Sequence, residues 1–398
     1  MIPRSSGWRA IRWQNPHGTD LAETPKTAST PAAGRSLATY LRTASWAPVV
    51  SQSISSPNSD VVLSARARIA RNLAAYPFPN CASERDLRRV AQEVRQSAHA
   101  DSERLAHLNV ITISSLTARD RARLVDARRI SPELAEGGGN RYALLDDPGS
   151  LTIFINEEDH VRIQALAGGN GLTAALRQAD DAERRLAQRL RWARDLSRWG
   201  YLTASLANLG TGLRLSLLLH LPALAFLGRL PETLKTIYTL DISVRGAHGE
   251  RSFAAGDLYQ VSNAVTFGFS AGNIVGLVKP VGDYLVAEEQ KARLEIAADH
   301  SEQVIRAAQN AWKRIEKAHQ LPAKEALDLL SLLRLAAASG LNAFDSPEPR
   351  PDSGQFATLV AELRTGAGLA PGSSGGSEPS ALRDAIQRPA KIRSALRF

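Results

Sequence analysis

The apolar residues of the chain follow two spacings, one typical of strands and one typical of helices. Apolar and β-branched runs predict strands at residues 61–63, 151–155, 201–203 and 237–244, and the first of these strands runs into a basic turn. Apolar residues at helical spacing predict helices at residues 173–199, 281–319, 323–338 and 382–398, with Gly200 ending the first. Strands separated by helices without a strict βαβ rhythm favour an α+β fold over a doubly wound sheet.

The composition of the chain divides it into four parts. Residues 1–55 mix Ser, Thr, Ala, Pro and Arg without a sustained period, which predicts a flexible basic extension. A disordered segment or an early start codon is favoured there over a transit peptide. Residues 56–341 carry the globular pattern. Residues 342–381 hold Pro-rich and Gly/Ser-rich runs, so we expect a disordered linker before a short basic segment at 382–398.

Composition narrows the class of protein. The net charge of +9 suits an anionic partner, without separating nucleic acid, a membrane surface and a phosphorylated ligand. No apolar run reaches the roughly 18–20 residues of a membrane span. A single cysteine, Cys81, excludes an internal disulfide framework and a multi-cysteine zinc site, and it suits a reducing compartment.

Two segments rich in charged residues are candidate binding or catalytic sites. Alternation puts Ser64, Arg66 and Arg68 on one face of an extended segment, where a bound anion would relieve the repulsion between guanidinium groups. A solvated basic edge strand is the alternative. Three consecutive acids at 157–159 stand beside a histidine and Arg162, just after a predicted strand. This grouping indicates either a site at the strand's end or a solvated loop.

Two segments that contain glycines add further candidates. In residues 208–214, two glycines would let a ligand approach the backbone closely, and Arg214 follows them. This segment has neither the Walker A nor the Rossmann spacing. Residues 244–250 combine Arg245 and Glu250 with two glycines, which indicates a mobile loop that closes over a ligand or, alternatively, a plain turn.

The sequence gives little indication of a metal site, a covalent nucleophile or a surface for single-stranded nucleic acid. The histidines form no metal-binding pair, so no metal site built by the protein is expected. No Gly-x-Ser-x-Gly elbow occurs, and Cys81 lies in a turn, which disfavours a covalent nucleophile. Aromatic residues do not interleave with the basic ones, which argues against binding of single-stranded nucleic acid.

In their order along the chain, these segments resemble the motifs of the ATP:guanido phosphotransferase family, to which creatine and arginine kinases belong. The matching stretches are Val61–Asn72, Asn156–Gln164, Gly200–Thr203 with Asn208–Arg214, His220–Pro222, Arg245–Glu250 and Tyr259–Asn263. The resemblance covers about residues 61–341. It implies a large antiparallel sheet flanked by helices, followed by a helical C-terminal part.

The resemblance also implies a reaction, the transfer of a phosphoryl group from ATP to a guanidinium nitrogen. The family's pair of acids, which hold the guanidinium and take its proton, match Glu158 and Glu250. Its phosphate-binding arginines match five positions, which are Arg66, Arg68, Arg162, Arg214 and Arg245. Ser64 belongs to the same ATP-binding set. Mg²⁺ would ride on the nucleotide, so ATP and Mg²⁺ are the expected cofactors.

Three departures from the family's pattern bear on this expectation. Ser205 stands at the catalytic position where the family usually has a cysteine, whose thiolate would stabilise the guanidinium more strongly than a hydroxyl. Arg128, assigned to ATP binding, stands where relatives carry a histidine that contacts the nucleotide. Near the C-terminus, Arg383, Asp384 and Arg388 are similar to the phosphoarginine sensor of bacterial relatives, with one extra residue between the two arginines.

Within the family, the chain is most similar to the bacterial protein arginine kinases. Only about sixty residues precede the first arginine motif, whereas the kinases of free creatine or arginine carry a small enclosing domain there. The resemblance therefore implies a protein substrate with an exposed arginine and a cytoplasmic homodimer that uses neither nucleic acid nor a membrane. It adds an activator protein and a Clp-type protease as partners. A kinase for a free guanidino metabolite and a catalytically weakened protein that binds phosphoarginine or nucleotide stay open as alternatives.

Overall fold

The computed structural model describes residues 60–126, 129–146, 149–246, 254–344, 355–356, 358–360, 363 and 380–396. The strands are β1 Val62–Arg71, β2 Asn109–Thr112, β3 Tyr142–Leu145, β4 Leu151–Ile155, β5 Val161–Gly168, β6 Arg194–Asp195, β7 Gly200–Tyr201, β8 Leu213–His220, β9 Ile242–Gly246 and β10 Leu258–Asn263. The helices are α1 Glu84–His99, α2 Ala118–Asp126, α3 Pro132–Ala135, α4 Leu172–Ala187, α5 Pro222–Phe226, α6 Leu230–Ile237, α7 Ala271–Asp299, α8 Ser301–Lys317, α9 Ala323–Ala338 and α10 Ser380–Leu396.

Eight strands of the described chain form one sheet, in the order β2-β3-β4-β5-β1-β8-β10-β9. Every neighbouring pair in this sheet is antiparallel. Strands β6 and β7 form a separate pair. Helices pack against the sheet, and α8, α9 and α10 contact one another after it. The α+β fold expected from the sequence, with a large antiparallel sheet and a helical C-terminal part, is confirmed.

The two faces of the sheet differ because residues alternate along β1. Ala65 and Ala67 are fully buried in the main hydrophobic core, where helix α4 packs on β1 and helix α7 packs on the neighbouring strands β8 and β10. Arg66 and Arg68 project from the opposite face and are partly exposed. Burial of the apolar face supplies the driving force for this arrangement, while the other face is left with polar side chains.

Helices α2 and α3 cover one half of the polar side of the sheet. Here a second apolar cluster joins Phe154 of β4 and Leu145 of β3 to Leu124 of α2 and Leu134 of α3. Strands β5, β1, β8, β10 and β9 carry the polar residues of the other half. The candidate site therefore lies on a continuous polar surface beside this smaller core.

Pairing between distant segments changes two predicted boundaries early in the chain. The strand predicted at 61–63 continues to Arg71, because β1 pairs along most of its length with β5 and β8. The basic turn expected after residue 63 is therefore wrong. The helix predicted at 173–199 ends at Ala187, because the backbone of residues 191–193 bonds to residues 72–74 instead.

Boundaries further along the chain also differ from the prediction. Gly200 ends no helix; it begins β7, Gly200–Tyr201, which overlaps the strand predicted at 201–203 only at Tyr201. The strand predicted at 237–244 begins only at Ile242, since α6 runs through Ile237. The long helix predicted at 281–319 is two helices, because His300, with a φ of −129°, separates α7 from α8.

Three predicted elements are confirmed, and one predicted linker departs from its expectation. Strand β4 and helix α9 have the predicted bounds, and α10 covers most of the predicted terminal helix. Within the 342–381 segment, however, four apolar side chains are buried in the main core: Phe356, Leu359, Val360 and Leu363. This part of the segment is packed against the protein.

Candidate active site

The central strands bring six polar residues to one face of the sheet. Side chains of direct cross-strand partners project from the same face of the sheet, and every second residue along a strand projects from that face as well. The residues of this face are Ser64, Arg66 and Arg68 of β1, Arg162 of β5, Arg214 of β8 and Arg245 of β9. We call the five arginines the cationic face.

The pairing register establishes this common face. Arg214 is the direct partner of Arg68, and Arg162 is the partner of Ala70, two residues further along β1. Arg245 is related to β1 through three successive pairings, since it pairs with Gln260 of β10, which pairs with Leu218 of β8, the partner of Ser64. The arginines singled out in four separate sequence segments are thus neighbours in the sheet.

Neutral side chains hold three of these arginines in place. Arg66 donates from Nη2 to Gln260 Oε1 at 3.2 Å. Arg214 donates from Nη2 to Ser262 Oγ at 3.1 Å, and Arg245 donates from Nε to Ser243 Oγ at 3.2 Å. These hydrogen bonds fix the directions of the three guanidinium groups on this face.

Arg68 lies in an electrostatically unfavourable position within the cationic face. Burial, together with the guanidinium groups of Arg162 and Arg214, lowers the pKa of Arg68 to about 10. Glu157 and Glu133 act in the opposite direction, but none of the ion pairs among the described residues includes Arg68. A bound anion would relieve this repulsion.

The acidic segment is the hairpin loop that joins β4 to β5. Asn156 adopts a positive φ of 58°, and its backbone N–H donates to His160 O at 3.0 Å, which closes the turn. The Asn156 amide donates to Leu87 O and Asn140 O, both at 2.8 Å, and so ties the loop to the rest of the domain. The prediction of charged groups at a strand's end is correct, and the loop is an anchored one.

The three acids of this loop have different surroundings. Glu157 is buried, forms an ion pair with Arg162 Nη1 at 2.6 Å and accepts a hydrogen bond from Ser131 Oγ. Burial raises the pKa of Glu157, against the opposing effect of Arg162. The side chain of Glu158 is 44% exposed and accepts from Arg162 Nη2 at 2.7 Å and from Asn208 Nδ2 at 3.3 Å. Arg162 therefore links an acid that faces the surface to the cationic face.

The third acid and the histidine have structural environments. Asp159 is fully buried, and its Oδ1 accepts from Asn72 Nδ2 and from Ala204 N, each at 2.7 Å. His160 is also fully buried, and its Nδ1 accepts from Leu73 N at 3.1 Å. Burial lowers the pKa of His160 to about 4, so the ring is neutral at pH 7. These residues hold the loop and leave Glu158 as the acid that a ligand could reach.

Ser205 lies on a second loop that hydrogen bonds join to the first. The side chain of Asn208 donates to both Glu158 and Asp159, and Ala204 N donates to Asp159. Ser205 itself is partly buried, and its carbonyl accepts from Thr203 Oγ1 at 2.8 Å. Asn208 lies in one of the sequence motifs, but its bridging position depends on contacts that the sequence does not reveal.

The two glycines of segment 208–214 serve the protein's own packing. Gly210 has a φ of 98°, and a Cβ there would lie 2.8 Å from Phe267 Cα. Gly212 has a φ of 62°, and a Cβ there would lie 2.6 Å from Ala70 O at the end of β1. A side chain at either glycine would therefore meet the protein's own backbone, whereas close approach of a ligand to this segment stays a prediction.

The remaining predicted site residues are only partly described. Arg128 and Glu250 lie outside the described residues, as do the side chains of Arg383 and Asp384 on α10. Arg388 of α10 is buried, and it donates to Leu363 O at 3.4 Å and to Leu321 O at 3.3 Å. It therefore belongs to the packing of the C-terminal helix and lies apart from the cationic face.

The chemistry of the donor set fits phosphate oxygens better than a bare metal ion. Within the described ranges, no group of three His, Cys, Asp or Glu side chains is arranged to hold a metal. Glu157 and Glu158 are paired with Arg162, and Asp159 is held by amides. No helix in the described part of the chain combines the length and apolar character needed to cross a membrane.

Comparison with known proteins agrees with this geometry. The catalytic domain of the ATP:guanido phosphotransferases matches residues 89–292. A protein-arginine kinase of Moorella thermoacetica is 37% identical over 285 residues, which are 71% of this chain and 81% of that protein. A protein-arginine kinase of Caldanaerobacter subterraneus is 33% identical over 72% of this chain and 86% of that protein.

Solved structures show the same fold. A lombricine kinase superposes with a TM-score of 0.53 and 22% identity, over 61% of this chain and 71% of that one. A duplicated taurocyamine kinase from Schistosoma mansoni, with bound transition-state analogue components, gives a TM-score of 0.52 over 71% of this chain and 41% of its own. With the motifs, the sheet and these matches in agreement, the chain belongs to the ATP:guanido phosphotransferase family.

Proposed function

We propose that this chain is a protein-arginine kinase, which transfers the γ-phosphoryl group of ATP to a guanidinium nitrogen of an arginine side chain in a protein. One observation carries the proposal: Arg162, one of the five arginines of the cationic face, forms an ion pair with a surface carboxylate, Glu158. Such a site has a region for phosphate anions next to a region for a cationic acceptor. The names of the two bacterial relatives support a protein substrate over a free metabolite.

The cationic face binds the phosphates in this proposal. Phosphoryl transfer depends mainly on fixed charges that stabilise the oxygens of the transferred group. Arg66, Arg68, Arg162, Arg214 and Arg245 supply those charges from rigid strands, with Ser64 and Arg128 as further ATP-binding residues. Mg²⁺ enters with ATP as part of the substrate and neutralises the charge on its phosphate oxygens.

The carboxylates act on the acceptor. An arginine guanidinium has a pKa above about 12 and is a poor nucleophile while it holds its proton. Glu158 accepts hydrogen bonds from the guanidinium fork, and together with Glu250 it takes the proton. The new N–P bond forms as the bond from the γ-phosphorus to its bridging oxygen breaks, and ADP leaves with that electron pair. Ser205 offers the acceptor a neutral hydrogen bond in this scheme.

The proposal extends to the setting of the enzyme. A cytoplasmic homodimer, an activator protein and a Clp-type protease that receives the phosphorylated protein accord with the family resemblance. Arg383, Asp384 and Arg388 are the residues for a regulatory response to phosphoarginine.

The test uses the purified chain with MgATP and an unfolded, arginine-rich protein. Phosphorus NMR is expected to show acid-labile phosphoarginine on the protein. Glu158→Gln is expected to lower the rate by about 10²–10⁴, because the carboxylate that takes the proton is lost. Glu302→Gln, an exposed change on α8, is the matched control and keeps the wild-type rate.

Three outcomes would contradict the proposal. Wild-type protein that yields no phosphoarginine on the substrate would exclude the activity. Turnover that is insensitive to Glu158→Gln, with ATP still bound, would favour a nucleotide-binding or phosphoarginine-binding protein. ATP consumption with free arginine that equals the rate with the protein substrate would favour a metabolite kinase.

A further inference from the structure

Four exposed apolar side chains lie beside the acidic loop. Their exposed fractions are 38% for Trp199, 82% for Leu206, 38% for Val265 and 43% for Phe267. Isolated apolar residues on a surface need no explanation, but a cluster next to polar groups marks a surface that contacts another molecule. We call these four residues the apolar patch.

Hydrogen bonds connect the apolar patch to the acidic loop. The rings of Trp199 and Phe267 have centroids 5.7 Å apart. Thr266, between two patch residues, donates from Oγ1 to the carbonyl of Leu209 at 2.6 Å, and the same oxygen lies 3.1 Å from the carbonyl of Ala207. The same loop carries Leu206, and its Asn208 donates to Glu158. The patch therefore borders the carboxylate that the proposed function assigns to the substrate arginine.

We propose that the apolar patch binds apolar side chains that flank the target arginine in a polypeptide substrate. This inference rests on the proposed function. Charge complementarity identifies the molecule that binds here as one that carries an arginine, since the half-exposed carboxylate of Glu158 attracts a guanidinium cation. The chain that carries this cation must then run over the adjoining surface. A free guanidino metabolite has no neighbouring residues to cover the patch, so the patch favours arginines that lie within a protein.

Leu206 is the residue best placed to show this effect. It is the most exposed member of the patch, and it lies two residues from Asn208, which holds Glu158. Its side chain contributes little to the folded core, so a polar replacement removes apolar contact area with little effect on folding. Leu294 on α7 is 73% exposed and provides a matched control away from this loop.

The experiment compares two peptides of equal length and net charge that each hold one arginine. One peptide has leucine on both sides of the arginine, and the other has serine. We expect wild-type kcat/KM to favour the leucine peptide by about tenfold, as burial of one or two apolar side chains allows. Leu206→Ser and Val265→Ser should each reduce this ratio to about threefold, whereas Leu294→Ser should leave it unchanged.

Each result separates the two proposals. Equal kcat/KM for both peptides in the wild type, or an unchanged ratio in Leu206→Ser and Val265→Ser, overturns the role of the patch while the kinase activity stands. Phosphorylation of neither peptide contradicts the proposed function and, with it, the patch. A change of molecular mass in light scattering for Leu206→Ser, with the peptide ratio unchanged, assigns the patch to contact between two copies of the chain and overturns the inference.

Discussion

The substitution Arg68→Gln tests whether the cationic face is arranged for an anion at the expense of stability. Arg68 faces Arg214 across the β1–β8 pair and lies near Arg162, and burial with these neighbours lowers its pKa to about 10. Glutamine keeps hydrogen-bonding groups of similar reach and removes the charge. The same change should therefore stabilise the protein without nucleotide and weaken its interaction with ATP.

The expected size follows from the lowered pKa of Arg68. A fall in pKa from the ordinary value of an arginine side chain to about 10 corresponds to roughly 3 kcal/mol of differential interaction between the two protonation states. Because the unfolded chain holds this proton more tightly, the folded state bears the full cost at every pH below about 10, and the cost is lost as the pH rises from there to the ordinary pKa of an arginine side chain. Contact with solvent and the lost packing of the aliphatic stem reduce the gain from Arg68→Gln to about 1–2 kcal/mol.

The assay is urea unfolding at pH 7, with and without MgATP. Without nucleotide, Arg68→Gln should raise the free energy of unfolding by about 1–2 kcal/mol. With MgATP at about a hundred times the wild-type Kd, the wild type should gain about 2.7 kcal/mol, and the variant much less. Arg177→Gln, at an exposed position of α4, is the control and should change neither quantity.

Two results would refute this reasoning. If Arg68→Gln lowered the free energy of unfolding in the absence of nucleotide, the repulsion within the cationic face would be compensated in the folded protein. If the variant gained as much stability from MgATP as the wild type, Arg68 would have no part in binding the phosphates.

Two further substitutions test other parts of the fold. Burial raises the pKa of Asp257 to about 6, above that of the unfolded chain, so its ionised form costs stability at pH 7 and this cost disappears as the pH falls toward 4. Asp257→Asn should raise the free energy of unfolding by about 1–2 kcal/mol at pH 7 and by less at pH 5, and a constant difference would contradict this. Gly212→Ala should lower the free energy of unfolding by about 1–3 kcal/mol, because its φ is positive and its Cβ would meet Ala70 O. Gly276→Ala, in an open position of α7, should raise it by up to about 1 kcal/mol, and equal effects of the two alanines would exclude the packing argument.

A strand could be predicted from the sequence where its own residues form a continuous apolar run. Residues 151–155 form a continuous apolar run, and the strand has those bounds. The end of the helix predicted at 173–199 could not be predicted in the same way, because the helical spacing continues past Ala187. Residues 191–193 leave the helix for backbone partners in residues 72–74, which are more than a hundred positions away in sequence. A local pattern contains no information about such partners.

The three acids of the β4–β5 loop show the same limit within the candidate site. Their positions at the end of a strand could be predicted, but the sequence does not show which of the three carboxylates is buried and which is exposed. Asp159 is enclosed by Asn72 and Ala204, which lie 87 and 45 positions away, and Glu157 by Ser131 and Arg162. Only these long-range contacts leave Glu158 accessible.

The amino-acid sequence by itself determined which residue types are present and which side of a strand each occupies, because alternation along a strand is a local property of the backbone. Tertiary structure decided which strands are neighbours, and so brought Arg162 and Arg214 beside Arg68 from distant parts of the chain. It also decided which charges are buried. Electrostatic energies depend on distance and on exposure to water, and both quantities exist only once the sheet has formed.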